Sequence, residues 1–155
     1  MKKEYLAGFF DGEGCITLTK CGISKTGVQK YRVEIQVTNT VKTPLIEYEK
    51  LFGGSIHKQV RDHPLRDCYK WTVTNKKAHK FLSTMIPYLI IKKDEALIAL
   101  EWCSIEKETH VQNIRHLSAR AKKEAVDKNE FIRGKKMEIY KKWLHYAKEN
   151  KRGYT

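Results

Sequence analysis

Leu6-Ala7-Gly8-Phe9-Phe10-Asp11-Gly12-Glu13-Gly14 is the stretch on which the fold turns. Gly8 and Gly12 are four residues apart and so share one face of a helix, with Ala7 beside them and Leu6, Phe9 and Phe10 supplying bulk. A glycine inside a helix costs about 1 kcal/mol relative to alanine, so two in one short segment need a reason. One reason is close approach of another backbone to the small face, which leaves Glu13 at the C-terminal mouth of the helix. Periodicity alone is also satisfied by an ordinary helix ended by Gly12 and Gly14, with Asp11 and Glu13 in solvent.

Outward from this helix the pattern changes to period two. Ile16 and Leu18 alternate with Thr17 and Thr19, and a turn is expected through Gly22 to Gly27. The next strand is the clearest in the chain, with Val33, Ile35 and Val37 on one face and Lys30, Arg32, Glu34, Gln36 and Thr38 on the other. Thr43-Pro44 reads as a helix start, a hydroxyl cap followed by proline, and Gly53-Gly54 as its end. A second unit repeats the plan: strand Ser55 to Arg61, a turn at Asp62-His63-Pro64, and strand Cys68 to Val73. Tyr69, Trp71 and Val73 should face the core, leaving Lys70 and Thr72 outward with Ser55, His57, Gln59 and Arg61. Asn75 is placed to cap a helix reaching Tyr88. A further helix runs from about Lys93 to Glu108, with Ala96, Leu97, Leu100 and Cys103 at helical spacing. The expected fold class is α+β in the order α-β-β-α-β-β-α, followed by a helical C-terminal extension.

The 155 residues suit a core at 1–109 and a basic extension at 110–155, and a composition 41% hydrophobic and 32% charged is that of a soluble domain. No export signal or membrane span is visible, which implies the cytoplasm or an organellar matrix. Cysteines 15, 21, 68 and 103 form no C-x-x-C pair and are expected to be reduced thiols. His57, His63 and Cys68 fit no usual zinc spacing. The net charge of +13 points to a polyanion, and nucleic acid is favoured over membrane because the basic residues are spread along the chain. Residues 110–155 hold 13 Lys/Arg against 5 Asp/Glu, making the extension the most basic part. Within it Ile139, Tyr140, Trp143, Leu144 and Ala147 recur at helical spacing and read as a core face.

The nine quoted residues, with the strand after them, resemble the motif of the LAGLIDADG homing endonucleases. Phe9, Phe10, Gly12 and Glu13 are the departures, and each keeps the chemical character of the position. The resemblance extends over roughly residues 4 to 108 and implies a curved antiparallel sheet seated in the DNA major groove. Thr17, Thr19, Lys30, Arg32, Glu34, Gln36, Thr38, Ser55, His57, Gln59, Arg61, Lys70 and Thr72 would then be the DNA-contacting face. A ten-residue strand spans roughly 33 Å, about one turn of DNA.

A single copy of the motif resembles the homodimeric branch of the family. Leu6, Ala7, Gly8, Phe9 and Gly12 would form the seam between two copies, and symmetry would imply a long near-palindromic target. The resemblance makes Glu13 the catalytic metal ligand, aided by the Gly12 carbonyl, with Mg²⁺ as the divalent cofactor. Asp11 is expected to bond backbone near the helix end. Asn39 corresponds to a residue that orients active-site water, and Lys92 to one that polarises water or stabilises phosphate charge; Lys42 is a weaker basic candidate near Asn39. Double-strand cleavage by an intron-encoded or intein-associated enzyme is the activity implied. The same scaffold also serves maturases, which bind intron RNA, and a catalytically silent DNA-binding regulator is a third reading.

Overall fold

A computed structural model describes residues 1–23, 29–61, 66–108 and 118–151. The chain forms two compact units, Met1–Leu100 and Glu101–Thr155. Helix α1 (Lys3–Glu13) leads directly into β1 (Gly14–Ile23), followed by β2 (Gln29–Asn39), α2 (Thr43–Phe52), β3 (Ser55–Gln59), β4 (Cys68–Thr74), α3 (Asn75–Met85) and α4 (Lys93–Glu108). A 3₁₀ turn, Ile86–Tyr88, follows α3. The expected order of elements is therefore present. The turns expected at 22–27 and 62–64 fall largely outside the described residues.

The four strands form one antiparallel sheet in the order β1-β2-β4-β3, which makes β2 and β4 the central pair. Alternation sends Ile16 and Leu18, then Val33, Ile35 and Val37, then Trp71 and Val73 to the buried side. Against them pack side chains of the helices. Tyr48 stacks on Trp71 with ring centroids 5.0 Å apart, Phe81 meets Phe10 at 4.8 Å, and Phe52 meets Phe81 edge-on at 5.0 Å. Such pairs add about 0.5–1.5 kcal/mol each beyond the area they bury. The Tyr48 hydroxyl donates to the Leu6 carbonyl, and burial holds its pKa well above the ordinary range.

Three local expectations are corrected. Helix α2 begins at Thr43 itself, with Lys42 in the cap position and no side-chain cap bond, because Pro44 fixes the first turn without needing a hydroxyl. Thr74, not Asn75, occupies the cap position of α3; Asn75 is the first helical residue and has φ 54°. Leu97 is 46% exposed, and the buried stripe of α4 runs instead through Ala96, Ala99, Trp102 and Cys103.

In the second unit α5 (Ala119–Lys151) buries Ala125, Ile132, Ile139 and Trp143 along one line. Ile139 and Trp143 behave as their spacing predicts, whereas Leu144 is 42% exposed. Lys142 lies 3.7 Å from Glu101, and the Lys136 ammonium lies over the Trp102 ring.

Gly53 and Gly54 both have positive φ, 71° and 98°, and turn the chain from α2 into β3. A Cβ on Gly54 would stand 2.5 Å from the Thr72 carbonyl oxygen, and the Gly53 carbonyl accepts from Trp71 Nε1 at 2.9 Å. Gly54→Ala should therefore cost at least about 2 kcal/mol in urea unfolding. Gly8→Ala, where nothing lies within 4 Å of the added carbon, should leave the subunit as stable or gain up to about 1 kcal/mol.

Candidate active site and nucleic-acid interface

Strand register sets out the polar side of the sheet in rows. Thr17 lies opposite Glu34 and Thr19 opposite Arg32 on β1 and β2. Across the central pair Gln36 faces Thr72 and Thr38 faces Lys70, and β3 completes these rows with Ser55 opposite Thr72 and His57 opposite Lys70. Lys30 shares the face by alternation along β2. Gln59 ends the face opposite Cys68, whose thiol donates to it at 3.4 Å. Arg61 lies beyond the end of β3, its backbone N–H bonded to Asp67 at 3.2 Å, so it flanks the face without belonging to the sheet.

Several of these side chains are already hydrogen-bonded within the sheet. The Thr17 hydroxyl bonds the Glu34 carbonyl at 3.2 Å, and His57 Nε2 meets the Ser55 hydroxyl at 3.0 Å. Sequence reasoning left out two members of the surface. Cys15, opposite Gln36, is exposed on it, and Thr74 lies opposite Glu34. Alternation carried back to the second residue of β1 and on to the last of β4 would have found both.

At one end of this face the chain builds an acidic and basic cluster. Helix α1 stops at Glu13, which is exposed, and Gly14 opens β1 opposite Val37. Asn39 is two residues beyond Val37 on β2, so it lies at the same end of the sheet as Glu13. Its Oδ1 accepts from the Val41 N–H at 2.8 Å, which leaves the amide nitrogen as the donor. Lys42 lies over the Tyr69 ring, 5.6 Å from its centroid, and Tyr69 pairs with Asn39.

Asp11 does not bond local backbone. Its carboxylate is buried and accepts three N–H groups from a distant segment: Ile90 at 2.8 Å, Ile91 at 3.2 Å and Lys92 at 2.9 Å. The Lys92 ammonium then donates to the Asp11 carbonyl at the C-terminal end of α1, where unpaired carbonyls favour a cation. Lys92 is thereby brought to the same helix end as Glu13, although 79 residues separate them in sequence. Pinning of this segment also leaves Ile90 and Ile91 exposed, 85% and 71%, an apolar pair that its short run in the sequence did not reveal.

Two further groups surround Lys92. Burial pushes the Glu95 carboxyl up to about 7, against the opposing pull of the Lys92 charge. The Cys15 thiol is likewise raised, first by burial and then by Glu95, with Lys92 and Lys70 acting in the other direction.

The face of α1 available to a second copy differs from the one expected. Leu6 and Ala7 are fully buried within their own subunit, because they lie on the side of the helix that carries Phe10 into the aromatic core. Gly8 and Gly12 are exposed with open space beyond their Cα atoms, Phe9 is half-buried at their border, and Tyr5 is 53% exposed one turn before Gly8. Gly14 has the opposite environment, since a Cβ there would overlap the Phe10 ring and carbonyl.

Among the described residues no group of three or more His, Cys, Asp or Glu side chains forms a metal cage, and no helix is long and apolar enough to cross a membrane. His63 lies outside the described residues.

This arrangement has known counterparts. The homing endonuclease I-CvuI, crystallised with its target in the presence of Ca, is 20% identical with a TM-score of 0.54 over 81% of this chain and 92% of its own. The homing endonuclease I-TnaI is 20% identical with a TM-score of 0.56 over 94% of this chain and 97% of its own. The archaeal intron-encoded I-Vdi141I, solved with DNA, is 18% identical with a TM-score of 0.56, covering 91% and 95%. At such identities the likeness establishes the fold. No curated protein matches the chain. The family model described as LAGLIDADG endonuclease matches residues 6–105, most of the chain and all of the sheet, and the protein belongs to that family.

Proposed function

We propose that the protein is a homodimeric, Mg²⁺-dependent endonuclease that cuts both strands of DNA at a long, near-palindromic site. The observation that carries this reading is the meeting, at one end of a polar sheet face, of an exposed carboxylate, Glu13, and an ammonium group, Lys92, held in place by Asp11.

Glu13 and the Gly12 carbonyl are the oxygen donors suited to Mg²⁺, which takes one or two carboxylates and otherwise keeps water and phosphate oxygens. The sparse donor set fits such an ion better than one requiring a protein cage. When bound, the ion would supply charge stabilisation and an acidified water for phosphodiester hydrolysis. The protein's own groups do the positioning. Lys92 uses one of its three donors on the Asp11 carbonyl and keeps two for phosphate oxygens or the attacking water. Asn39, anchored through its oxygen, offers its amide N–H groups to orient a water. The polar rows of the sheet supply donors and acceptors for base edges, while the lysines and arginines, clustered most densely in residues 110–155, would bind phosphates in a salt-dependent way.

Dimerisation would put two copies of Glu13 at one centre. The exposed strip through Tyr5, Gly8 and Gly12 is where the α1 helices of two copies could approach closely, with Ile90 and Ile91 as apolar flanks.

Glu13→Gln should retain selection of duplex DNA in Ca²⁺ while losing cleavage in Mg²⁺ by at least about 10³-fold; cutting at the unmutated rate would remove Glu13 from its assigned role. Gly8→Leu should shift the sedimentation profile from dimer to monomer and leave the melting of the subunit nearly unchanged. An unaltered dimer would place the seam elsewhere.

Glu95 generates a pH dependence whose sign follows from its raised pKa. With a folded value of about 7 and an ordinary value of 4.5, the native state binds the proton more tightly than the unfolded chain. Its stabilising contribution is full below about pH 4.5 and declines as pH rises towards 7. Glu95→Gln should therefore be more stable than the unmutated protein at pH 8 by on the order of 1–2 kcal/mol after allowing for solvent screening, and the difference should shrink at pH 5. Urea melts at both pH values, without divalent metal, measure it.

A further inference from the structure

Three alternate residues of β2 are tied together on the polar face. The Glu34 carboxylate accepts from Arg32 Nη2 at 2.8 Å through one oxygen and from Gln36 Nε2 through the other. The Glu34 side chain is 17% exposed and that of Arg32 44%, so the carboxylate is set lower in the surface while the guanidinium stays open. A carboxylate on a surface meant for phosphates is otherwise repulsive. Here the Arg32 guanidinium balances its charge, the Gln36 amide occupies its other oxygen, and the residues opposite Glu34 on the neighbouring strands, Thr17 and Thr74, bring no charge.

The chemistry of the pair fixes what remains free. Turning the Gln36 amide round would set its oxygen against a carboxylate oxygen, so the NH₂ group must face Glu34. That leaves the amide oxygen and one N–H, the pair that matches N6 and N7 of adenine. Arg32 gives one of five N–H donors to Glu34 and keeps enough of its fork for O6 and N7 of guanine. Long polar side chains lose rotamer freedom when they bind, and a contact made beforehand removes much of that loss from the binding step.

We propose that Glu34 is a positioning residue for sequence readout, holding Arg32 and Gln36 ready to discriminate two base pairs about four steps apart. The inference rests on the duplex-reading function proposed above. The spacing follows from the strand, since four extended residues span about 13 Å and base steps rise by about 3.4 Å. A carboxylate can also accept directly from cytosine N4, and that alternative has a different signature.

The test is selection from a random duplex pool in Ca²⁺ with the unmutated homodimer, Arg32→Ala, Gln36→Ala, Glu34→Gln and Glu34→Asp. Arg32→Ala and Gln36→Ala should each flatten the preference at one position. Glu34→Gln should flatten both, by roughly tenfold each, and leave the rest of the consensus intact. Glu34→Asp, with its shorter arm, should keep only one of the two, and it carries the test if melting shows that Glu34→Gln does not fold. Preservation of both preferences in the folded variants overturns the proposal, as does a change confined to a single base pair between them. Failure of the unmutated protein to select any consensus would instead overturn the DNA-reading function, and this inference with it, before any variant is compared.

Discussion

The carboxylate of Asp11, buried and bonded to three consecutive backbone N–H groups at residues 90–92, is the constraint on which the site depends. Hydrogen bonds to a charged acceptor contribute about 1.5–3 kcal/mol each, and an acceptor removed from such a place leaves its donors without water or partner. Because the tie fixes the backbone of Lys92, it fixes where the ammonium can reach, and that reach ends on the carbonyl of Asp11 itself. Helix α4 starts one residue later, at Lys93. The two acidic residues of the motif differ by environment: Asp11 is enclosed and bonded to backbone, whereas Glu13 is exposed.

Helix α1 is small-faced on one side and aromatic on the other, and the two sides have separate duties. Leu6, Ala7 and Phe10 enter the subunit's core, whereas Gly8 and Gly12 have no neighbour within 4 Å that would oppose a side chain. Their cost in helix propensity is not repaid inside the subunit. Gly14 is different in kind, being small because Phe10 covers it. One short motif thus combines an open small-residue strip, an inward anchor and a close junction between helix and strand.

Much of this was legible in the residues. Val33, Ile35 and Val37 against Arg32, Glu34 and Gln36 announced a half-buried strand, because period two leaves no other way to separate the two sets. The Gly53-Gly54 stop was equally plain, since consecutive glycines permit the positive φ that the turn uses. Which side of α1 faces inward was not legible: apolar residues flank its glycines on both sides, and the choice is made by Tyr48 and Phe81, contributed from elsewhere in the chain. The partners of Asp11 were hidden for a similar reason. A backbone N–H carries no sequence signature, so a carboxylate bonded to Ile90, Ile91 and Lys92 looks the same in the sequence as one in solvent. The Glu34 contacts were obscured by their ordinariness, because a charged residue flanked by polar ones at alternate positions describes any wet strand.

The separation between Asp11 and its partners also sets a clock. The three donors arrive 79 to 81 residues after the carboxylate, a delay of roughly 4–16 s at ribosomal rates of about 5–20 residues per second. Throughout that interval a nascent chain already displays Glu13 yet lacks Lys92 and the tie that would seat it. Every prematurely ended product of that length is missing the ammonium half of the Glu13 and Lys92 pair. Long-range closure therefore acts as a completion check, so that this charge arrangement appears only once nearly the whole of the first unit has been made.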